Sequence, residues 1–397
     1  PQGLDEWQTH KRRQYMKPTV VIAPNAFKHA LSATAAAEAL ARGWEKSRSA
    51  QIKPTLFPIA DGGDGTASLL MQYLQAASQK SRVLDPLGRA LDTDFGWIEK
   101  DKTSIIEMAN ASGIRLLTTA ELNPLLASSY GTGLQMQQAI AAGAQKIILA
   151  MGGSATVDGA LGMLSALGLV LLDANGNRLP ARLSSMPRVY QVEASAVKQL
   201  SQQLEIIILC DVDNPLTGPK GAAAVFGPQK GADTAMVPQL DAWLDQWAAI
   251  STALTGRDMR LLKGAGTAGG AAAGLWAWVN AQLVDGIDYF LDITHFDAAM
   301  EHACLLITGE GSIDEQTLQG KAPFGVAKRA KEKNLPVIAV AGKIPTTINT
   351  ALAPWFDALF AIGAGPVSLE TAMANTAADL ERMGFMLGNT WNGAYPT

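Results

Sequence analysis

Short apolar segments rich in β-branched residues recur along the chain, and most of them precede a glycine-rich loop and an alanine-rich helical stretch. They include residues 19–23, 145–151, 205–210 and 336–341. Continuous apolar strands that alternate with helices are typical of a parallel sheet covered on both faces. The sequence therefore predicts an α/β fold, in which ligands bind at loops beyond the carboxyl ends of the strands.

Length, charge and missing motifs narrow the function classes. The 397 residues suffice for two or three domains. With 32 lysines and arginines against 36 aspartates and glutamates, the net charge is −4, so the broad positive field that nucleic acids or anionic membranes attract is lacking. Walker A, protein-kinase, nucleophile-elbow and H-E-x-x-H motifs are missing. We expect neither a nucleic-acid nor a membrane partner, and leave a homo-oligomer open.

The cysteine content and the N-terminal sequence indicate in which cellular compartment the protein is expected. Cys210 and Cys304 are too few for a disulfide framework or a zinc cluster. No apolar run reaches the roughly 20 residues of a membrane-spanning helix, and no apolar region follows the basic residues 11–13 as a secretory signal would require. We predict a cytoplasmic protein that begins naturally at Met16, with residues 1–15 as a non-native extension.

Glycine is abundant, and much of it lies in polar loops after predicted strands. The 38 glycines exceed the usual share of about 7%. The three most informative loops are 61-DGGDG-65, 152-GGSATVDG-159 and 309-GEGSIDEQTLQGK-321. Glycine permits positive φ angles and close approach to a ligand. We expect the second loop to donate backbone N–H groups to phosphate, from Gly152, Gly153, Ser154 and Thr156.

The first loop places Asp61 and Asp64 among three glycines just before a helix. These carboxylates could hold Mg²⁺, or one of them could act as a base. The alternative is a tight turn in which Asp64 or Thr66 caps the helix. The residues alone leave both interpretations open.

Asp211 and Asp213 directly follow the predicted strand 205–210, a position suited to Mg²⁺ binding or to a base. A solvated turn is the alternative. The glycine- and proline-rich segment that follows carries Lys220 and Lys230. These lysines would either neutralise phosphate on a closing lid or be ordinary exposed side chains.

The third loop carries the largest number of polar groups. Glu310 and Asp314 could bind a metal ion, and Lys321 could contact a phosphate or a carboxylate. The candidates for nucleotide binding in this loop are Gly309, Gly311 and Thr317. A structural loop with an ordinary cap is the alternative.

Lys28 lies in the loop or first helical turn beyond the first predicted strand. The helix dipole disfavours a cation there, so a ligand-binding role is favoured. Ser32 is the expected N-cap of the helix that follows.

One G-x-G-x-x-G motif occurs, at Gly264, Gly266 and Gly269. It would indicate dinucleotide binding if a strand preceded it within a βαβ unit. Only residues 261–262 could form such a strand, so a loop that holds an anion at a helix N-terminus is favoured.

Taken together, these segments resemble the bacterial glycerate kinase family, of the type found in glyoxylate and glucarate/galactarate pathways. The resemblance runs from Met16 to about Arg382 and follows the family's order of motifs. It rests on 22-IAPNAFKHALSA-33, 59-IADGGDGT-66, 108-MANASG-113, 123-NPLLASSYGTG-133, 152-GGSATVDGALGM-163, 210-CDVDNPLTGPKGAAAVFGPQKGA-232, 264-GAGTAGG-270 and 307-ITGEGSIDEQTLQGKAP-323.

The resemblance implies ATP-dependent phosphorylation of D-glycerate to 2-phosphoglycerate, with Mg²⁺. It also implies two α/β domains with the active site between them. The first would be a discontinuous, flavodoxin-like parallel-sheet domain of residues 16–85 and 287–380. The second would be an inserted α/β domain with a mixed sheet, residues 86–286.

Most residues that carry charge in the family's motifs are matched here: Lys28, Asp61, Asp64, Asp211, Asp213, Asp314 and Lys321. The first motif departs from the family's usual A-P-D-S-F-K-G, since it has Asn25, Ala26 and His29. Val157 and Ala160 stand where the family favours asparagine and glycine. Asn25 cannot supply the negative charge of an aspartate.

We therefore predict a small-molecule kinase, because phosphoryl transfer needs positioning and charge neutralisation. The metal would be held by Asp211, Asp213 and Asp314. Asp61 or Asp64 would accept the proton of the glycerate hydroxyl, and Lys28 and Lys321 would hold its carboxylate or the γ-phosphate. The alternatives are a 3-kinase or a kinase of a related hydroxy acid, a nicotinamide-dependent oxidoreductase, and a binding protein without catalysis.

Overall fold

The computed structural model describes residues 18–345, 350–365 and 367–391. The chain divides into two compact units. Unit 1 comprises the residues up to Ala60 together with those from Phe290 onward, and unit 2 comprises Asp61–Tyr289. The predicted extension, residues 1–15, lies outside the described residues.

The secondary structure alternates strands with helices, as predicted. In the described ranges the strands are β1 (Thr19–Pro24), β2 (Pro54–Leu56), β3 (Ala77–Leu84), β4 (Ala90–Ile98), β5 (Thr103–Glu107), β6 (Lys146–Ala150), β7 (Val170–Leu172), β8 (Arg178–Leu179), β9 (Gln191–Glu193), β10 (Glu205–Cys210), β11 (Gln282–Asp285), β12 (Ala303–Ser312), β13 (Val337–Lys343) and β14 (Ala358–Ala361).

The α-helices of the same ranges are α1 (Ala33–Glu45), α2 (Thr66–Tyr73), α3 (Ala109–Ser112), α4 (Tyr130–Ala141), α5 (Leu161–Ala166), α6 (Ser195–Leu200), α7 (Ala222–Phe226), α8 (Met236–Thr255), α9 (Thr267–Val279), α10 (Gly286–Ile293), α11 (Phe296–Ala299), α12 (Ala322–Glu332) and α13 (Leu369–Thr390). Short 3-10 helices cover Ile114–Leu116, Thr119–Glu121, Leu183–Arg188, Pro228–Lys230, Met259–Leu261 and Glu315–Gln319.

Unit 1 is built on a five-stranded sheet with the order β14-β13-β12-β1-β2. All its pairs are parallel. Numbered by appearance within the unit, this order is 2-1-3-4-5, which is the flavodoxin-like order. The strand order reverses between β1 and β12, and ligands of such sheets bind at the carboxyl ends of the strands at that point.

The central position of β1 explains its sequence. Val20, Val21 and Ile22 are fully buried, because β1 has a neighbouring strand on each side and helices cover both faces of such a sheet. Ser32 caps α1 as predicted, and its Oγ accepts a hydrogen bond of 3.2 Å from the backbone N–H of Ala35.

Helices α1 and α13 pack closely because each has a glycine at the contact. A Cβ atom on Gly43 would lie 1.9 Å from the carbonyl oxygen of Glu381. One on Gly384 would lie 2.0 Å from the carbonyl oxygen of Leu40. These positions therefore exclude any residue with a side chain unless the helices separate.

Unit 2 contains a six-stranded sheet with the order β11-β10-β6-β5-β4-β3. Strands β5, β6, β10 and β11 of this sheet are parallel, whereas β3 pairs antiparallel with β4, and β4 with β5. The mixed sheet confirms the α/β fold class. Strands β8, β7 and β9 form a small separate antiparallel sheet.

The unit boundaries differ from the predicted domain limits. Unit 2 begins at Asp61, whereas the predicted inserted domain begins at residue 86. The reason is that β3 pairs with β4 along its whole length, which joins residues 61–85 to the sheet of unit 2. The second boundary, between Tyr289 and Phe290, falls within α10.

The core of unit 2 is built around the 20-residue helix α8. Leu240 and Trp247 of this helix are buried. Trp247 stacks on Trp278 of α9 with 5.4 Å between ring centroids. Its Nε1 also donates a hydrogen bond of 3.0 Å to the carbonyl oxygen of Gly159, which anchors the end of the second glycine loop.

Within the described ranges, no helix is both long enough and apolar enough to cross a membrane.

Gly384→Ala should destabilise unit 1 by about 2 kcal/mol, because overpacking a tight contact costs about 1–3 kcal/mol. The change can be measured as a lower melting temperature by circular dichroism. Gly365→Ala is the matched control, since no atom lies within 4 Å of the Cβ position there. Equal melting temperatures for the two variants would contradict the close packing of α1 and α13.

Candidate active site

The loop of residues 61–65 forms a fixed turn ahead of α2. Gly62 and Gly65 have φ angles of 99° and 93°, which glycine adopts without strain. The hydroxyl of Thr66 accepts from the N–H of Gly62 at 3.1 Å and donates to the carbonyl of Gly63 at 2.7 Å. Gly65 is the N-cap of α2, so neither Asp64 nor Thr66 is the cap that the sequence allowed.

Two N–H groups at the start of α2 instead donate to Glu107, a residue of β5 that the sequence pattern did not reveal. Its Oε1 accepts from the N–H of Gly65 at 3.1 Å, and its Oε2 accepts from the N–H of Ala67 at 2.9 Å. The residue is only 3% exposed. Burial, aided by the charge of Asp64, raises the pKa of Glu107 to about 8. The one signal in the sequence is a carboxylate at the end of an apolar strand.

Asp64 lies beside a cation that was also missed. The guanidinium Nη1 of Arg115 lies 2.9 Å from Oδ1 of Asp64, and its Nη2 donates to the side chain of Asn110. Both members of the ion pair are about half exposed. A guanidinium in this position can also contact phosphate or carboxylate groups.

The loop of residues 152–156 touches the 61–65 turn directly. The N–H of Gly152 donates to the carbonyl of Gly62 at 3.1 Å, and a Cβ atom on Gly152 would lie 2.4 Å from Cα of Gly63. On its other side, the carbonyl of Gly153 accepts from the N–H of Ile114 at 2.8 Å. Only glycine at position 152 allows the two loops to approach this closely.

The 152–156 loop also presents backbone donors. The N–H groups of Gly153, Ser154 and Thr156 make no hydrogen bond to any residue in the described ranges. Successive N–H groups in a glycine turn form a binding surface for anions. This arrangement fits the predicted contact with phosphate.

Lys230 supports this loop from within the protein. Its Nζ donates to Oγ of Ser154 at 2.9 Å and to the carbonyl oxygen of Thr156 at 2.7 Å. The side chain is 2% exposed, so it is not the exposed lid lysine that the sequence suggested, whereas Lys220 is exposed. Burial lowers the pKa of Lys230 to about 7, and the charge of Asp158 opposes the shift.

Asp211 follows β10 and lies near the same turn. A Cβ atom placed on Gly63 would lie 3.9 Å from Oδ2 of Asp211 and 3.1 Å from Oδ1 of Asp61. Asp213 instead forms an ion pair of 3.1 Å with Lys263. The carboxyl ends of β6 and β10 therefore bring the glycine turns together with two of the predicted carboxylates.

The carboxylates near Gly63 have the oxygen donors that Mg²⁺ prefers. In the described part of the chain, no three histidine, cysteine, aspartate or glutamate side chains form a ready metal cluster. Mg²⁺ is usually bound by one or two carboxylates, with water and phosphate oxygens completing the shell. Asp211 and Asp61 fit that pattern.

The G-x-G-x-x-G segment packs against the phosphate-facing loop. Met259–Leu261 form a 3-10 helix, so the strand that dinucleotide binding requires does not precede Gly264. A Cβ atom on Gly269, whose φ is 70°, would lie 2.1 Å from the carbonyl of Thr156. The segment therefore supports the 152–159 loop, and the oxidoreductase interpretation loses its structural basis.

In unit 1, the predicted residues gather where β1 and β12 end. Gly309 and Gly311 lie in β12 rather than in a loop, which corrects the sequence interpretation; pairing with β1 and β13 extends the strand to Ser312. The N–H of Asn25 donates to the carbonyl of Gly309 at 2.8 Å. A Cβ atom on Gly311 would lie 3.8 Å from the backbone nitrogen of Lys28, whose side chain is exposed.

Several of the remaining residues of the third loop form hydrogen bonds within that loop. Asp314 caps the 3-10 helix Glu315–Gln319 by accepting from the N–H of Gln316 at 2.9 Å. The buried hydroxyl of Thr317 contacts Glu310 Oε1 at 3.3 Å. Lys321 is the N-cap residue of α12 and is partly exposed.

The two units thus carry separate groups of predicted residues, and each group includes residues at the carboxyl ends of parallel strands. Unit 2 holds Asp61, Asp64, Gly152, Gly153, Ser154, Thr156, Asp211 and Asp213. Unit 1 holds Lys28, Gly309, Gly311, Asp314, Thr317 and Lys321. Glycine turns, carboxylates and lysines at strand ends define an α/β protein equipped for phosphate chemistry.

Comparison with known proteins assigns the family. The model of the Glycerate kinase family matches residues 20–392. A glycerate kinase of Bacillus subtilis is 41% identical over 363 residues, which cover 91% of this chain and 95% of the relative. A glycerate 2-kinase of Escherichia coli is 38% identical over 344 residues, with 86% and 90% coverage.

Solved structures agree with this result. A crystal structure described as glycerate kinase 2 from Salmonella typhimurium LT2 matches with a TM-score of 0.80 and 36% identity, and the match covers 94% of this chain and 98% of that one. The chain belongs to the glycerate kinase family. Members of this family are kinases, so the protein is an enzyme of that class.

Glu107→Gln should change how stability depends on pH. The Glu107 carboxyl has a pKa of about 8 in the folded protein and of 4.5 in the unfolded chain. The protonated form therefore contributes to the free energy of unfolding below pH 4.5, and this contribution is lost as the pH rises to about 8. The variant lacks this group, so the wild-type melting temperature should fall relative to that of the variant between about pH 5 and 8. A constant difference would show that Glu107 ionises normally.

Proposed function

We propose that the protein transfers the γ-phosphoryl group of MgATP to the 2-hydroxyl of D-glycerate. One observation carries this proposal: the 152–156 turn offers three backbone N–H groups that bond no described residue, beside the carboxylates of Asp61 and Asp211. Backbone donors and metal-binding carboxylates are the two elements that phosphoryl transfer requires from a protein. The name of the Escherichia coli relative, a glycerate 2-kinase, supports the choice of the 2-hydroxyl.

In unit 2, the proposed roles follow from what each side chain contacts. Gly153, Ser154 and Thr156 bind phosphate through backbone N–H groups. The predicted contact from Gly152 is not proposed, because its N–H already donates to the carbonyl of Gly62 at 3.1 Å. Asp211, with Asp213 as neighbour, holds Mg²⁺, which when bound neutralises charge on the phosphate oxygens. Asp61 or Asp64 acts as the proton acceptor; both lie in the same turn, and each has one oxygen engaged, by the N–H of Gly63 and by Arg115 respectively.

In unit 1, the proposed roles rest on charge. Lys28 and Lys321 bind the carboxylate of glycerate or the phosphoryl group in transfer, since a lysine ammonium is a compact donor for either anion. Gly309, Gly311 and Thr317 contribute to cofactor binding. Asp314 is retained as a proposed metal ligand through the carboxylate oxygen that its cap does not require.

The identity of the phosphorylated product distinguishes a glycerate 2-kinase from a glycerate 3-kinase. Phosphorus NMR after incubation with D-glycerate and MgATP should give the signal of 2-phosphoglycerate. A 3-phosphoglycerate signal would correct the position of transfer. Failure to consume ATP in the presence of D-glycerate would overturn the proposed function.

Asp211→Asn should raise the Mg²⁺ concentration needed for half-maximal activity by on the order of tenfold, because an amide binds the ion less strongly than a carboxylate. The measurement is a Mg²⁺ titration of initial rates at saturating ATP and D-glycerate. Asp101→Asn, at an exposed turn between β4 and β5, is the control. A titration like that of the wild type would remove Asp211 from the metal site.

Lys321→Ala should lower kcat by about 100-fold or more, since loss of one donor that stabilises transition-state charge typically costs that much. Its melting temperature should stay near that of the wild type. Lys328→Ala serves as the control, because Lys328 is exposed on the same helix, α12. Unchanged turnover in the Lys321 variant would exclude that lysine from the reaction.

A further inference from the structure

Lys230 is a buried cation that the roles assigned so far do not use. Its only hydrogen-bond partners in the described ranges are Oγ of Ser154 at 2.9 Å and the carbonyl oxygen of Thr156 at 2.7 Å. Both are uncharged, and Lys230 forms no ion pair with a described residue. Burying an ammonium group without a counter-ion is costly, and an apolar side chain of similar length would avoid that cost.

Asp158, the neighbouring carboxylate, is engaged elsewhere. Its Oδ2 accepts from both the N–H and the hydroxyl of Ser129, at 2.8 and 2.7 Å, and from the N–H of Gly162 at 3.3 Å. Its Oδ1 accepts from the N–H of Ala160 at 3.2 Å. The carboxylate therefore organises the start of α5 and leaves the ammonium of Lys230 without a partner of opposite charge in contact.

Hydrogen bonds to two carbonyl groups set the direction of two N–H groups in and next to this turn. The C=O and N–H of a trans peptide point in opposite directions. Because the carbonyl of Thr156 faces the ammonium, the N–H of Val157 faces away from it. In the same way, the bond from Ile114 to the carbonyl of Gly153 turns the N–H of Ser154 away from Ile114.

A second polar group of the loop is unexplained. Oγ1 of Thr156 is buried and has no hydrogen-bond partner among the described residues. Leaving a buried hydroxyl unsatisfied costs free energy, so the loop is held in this conformation at a cost in stability. The loop thus combines unpaired backbone donors and an unpaired hydroxyl with a buried lysine that contacts no carboxylate among the described residues.

We propose that Lys230 is a positioning residue for the nucleotide: it braces the 152–156 turn through its hydrogen bonds to Ser154 and Thr156 and places a positive charge behind the bound phosphates. This inference rests on the proposed function, in which that turn binds the phosphates of ATP. Lys230 itself contacts the loop and need not contact the nucleotide. Its effect should therefore appear in nucleotide affinity and not in affinity for D-glycerate.

The test compares Lys230→Met with Lys220→Met, a change at an exposed lysine of the same segment. Calorimetric titration with MgATP should show affinity about tenfold weaker or more for Lys230→Met, since a hydrogen bond to a charged group typically contributes about one such factor. The KM for ATP should rise similarly, while the KM for D-glycerate stays within about twofold. Lys220→Met should match the wild type in all three.

Each result decides the inference. Unchanged MgATP affinity in a folded Lys230→Met protein would overturn it, and so would an equal rise in both KM values, which indicates general loosening. If Lys230→Met does not fold, Ser154→Ala removes one of its acceptors and should weaken MgATP binding severalfold, with no change meaning failure. Wild-type protein that binds MgATP without phosphorylating D-glycerate would refute the proposed function alone.

Discussion

The candidate site of unit 2 depends on the contact between two glycine turns. Gly152 reaches the backbone of Gly63 so closely that no side chain fits between them, and the N–H of Gly152 bonds the carbonyl of Gly62. This contact joins the loop that carries Asp61 and Asp64 to the loop that offers backbone N–H groups. Carboxylates and anion-binding donors become neighbours because glycine allows the main chains themselves to touch.

Each turn is held by a buried ionisable side chain, one acidic and one basic. Glu107 holds the 61–65 turn through two N–H groups, and Lys230 holds the 152–156 turn through a hydroxyl and a carbonyl. Burial raises the pKa of the carboxyl and lowers that of the amine, so both ionised forms carry a desolvation cost. Apolar residues at these two positions would stabilise the fold more than Glu107 and Lys230 do. We therefore attribute the two ionisable side chains to function and not to stability.

The sequence predicted the parts of the protein that local pattern determines. Apolar period and glycine placement located β1, β6 and β10 and the loops beyond them, because those signals lie within a few residues of each other. Glu107, Arg115 and the burial of Lys230 escaped notice, because their partners lie far away in sequence: Glu107 accepts from an N–H of the helix that begins at Thr66. The extension of β12 through Gly309 and Gly311 escaped for the same reason, since pairing with β1 and β13 causes it.

Unit 1 is assembled from the two ends of the chain: β1 pairs with β12, and α1 packs on α13. During synthesis, β1 and α1 emerge before unit 2, yet β12 and α13 emerge only after all of unit 2 has been made. Domains generally fold as units as the ribosome releases them, so unit 2 completes its sheet while one edge of β1, the edge that β12 will occupy, is still unpaired. The segment of β1 and α1 is therefore made before unit 2 and completes its native contacts after it.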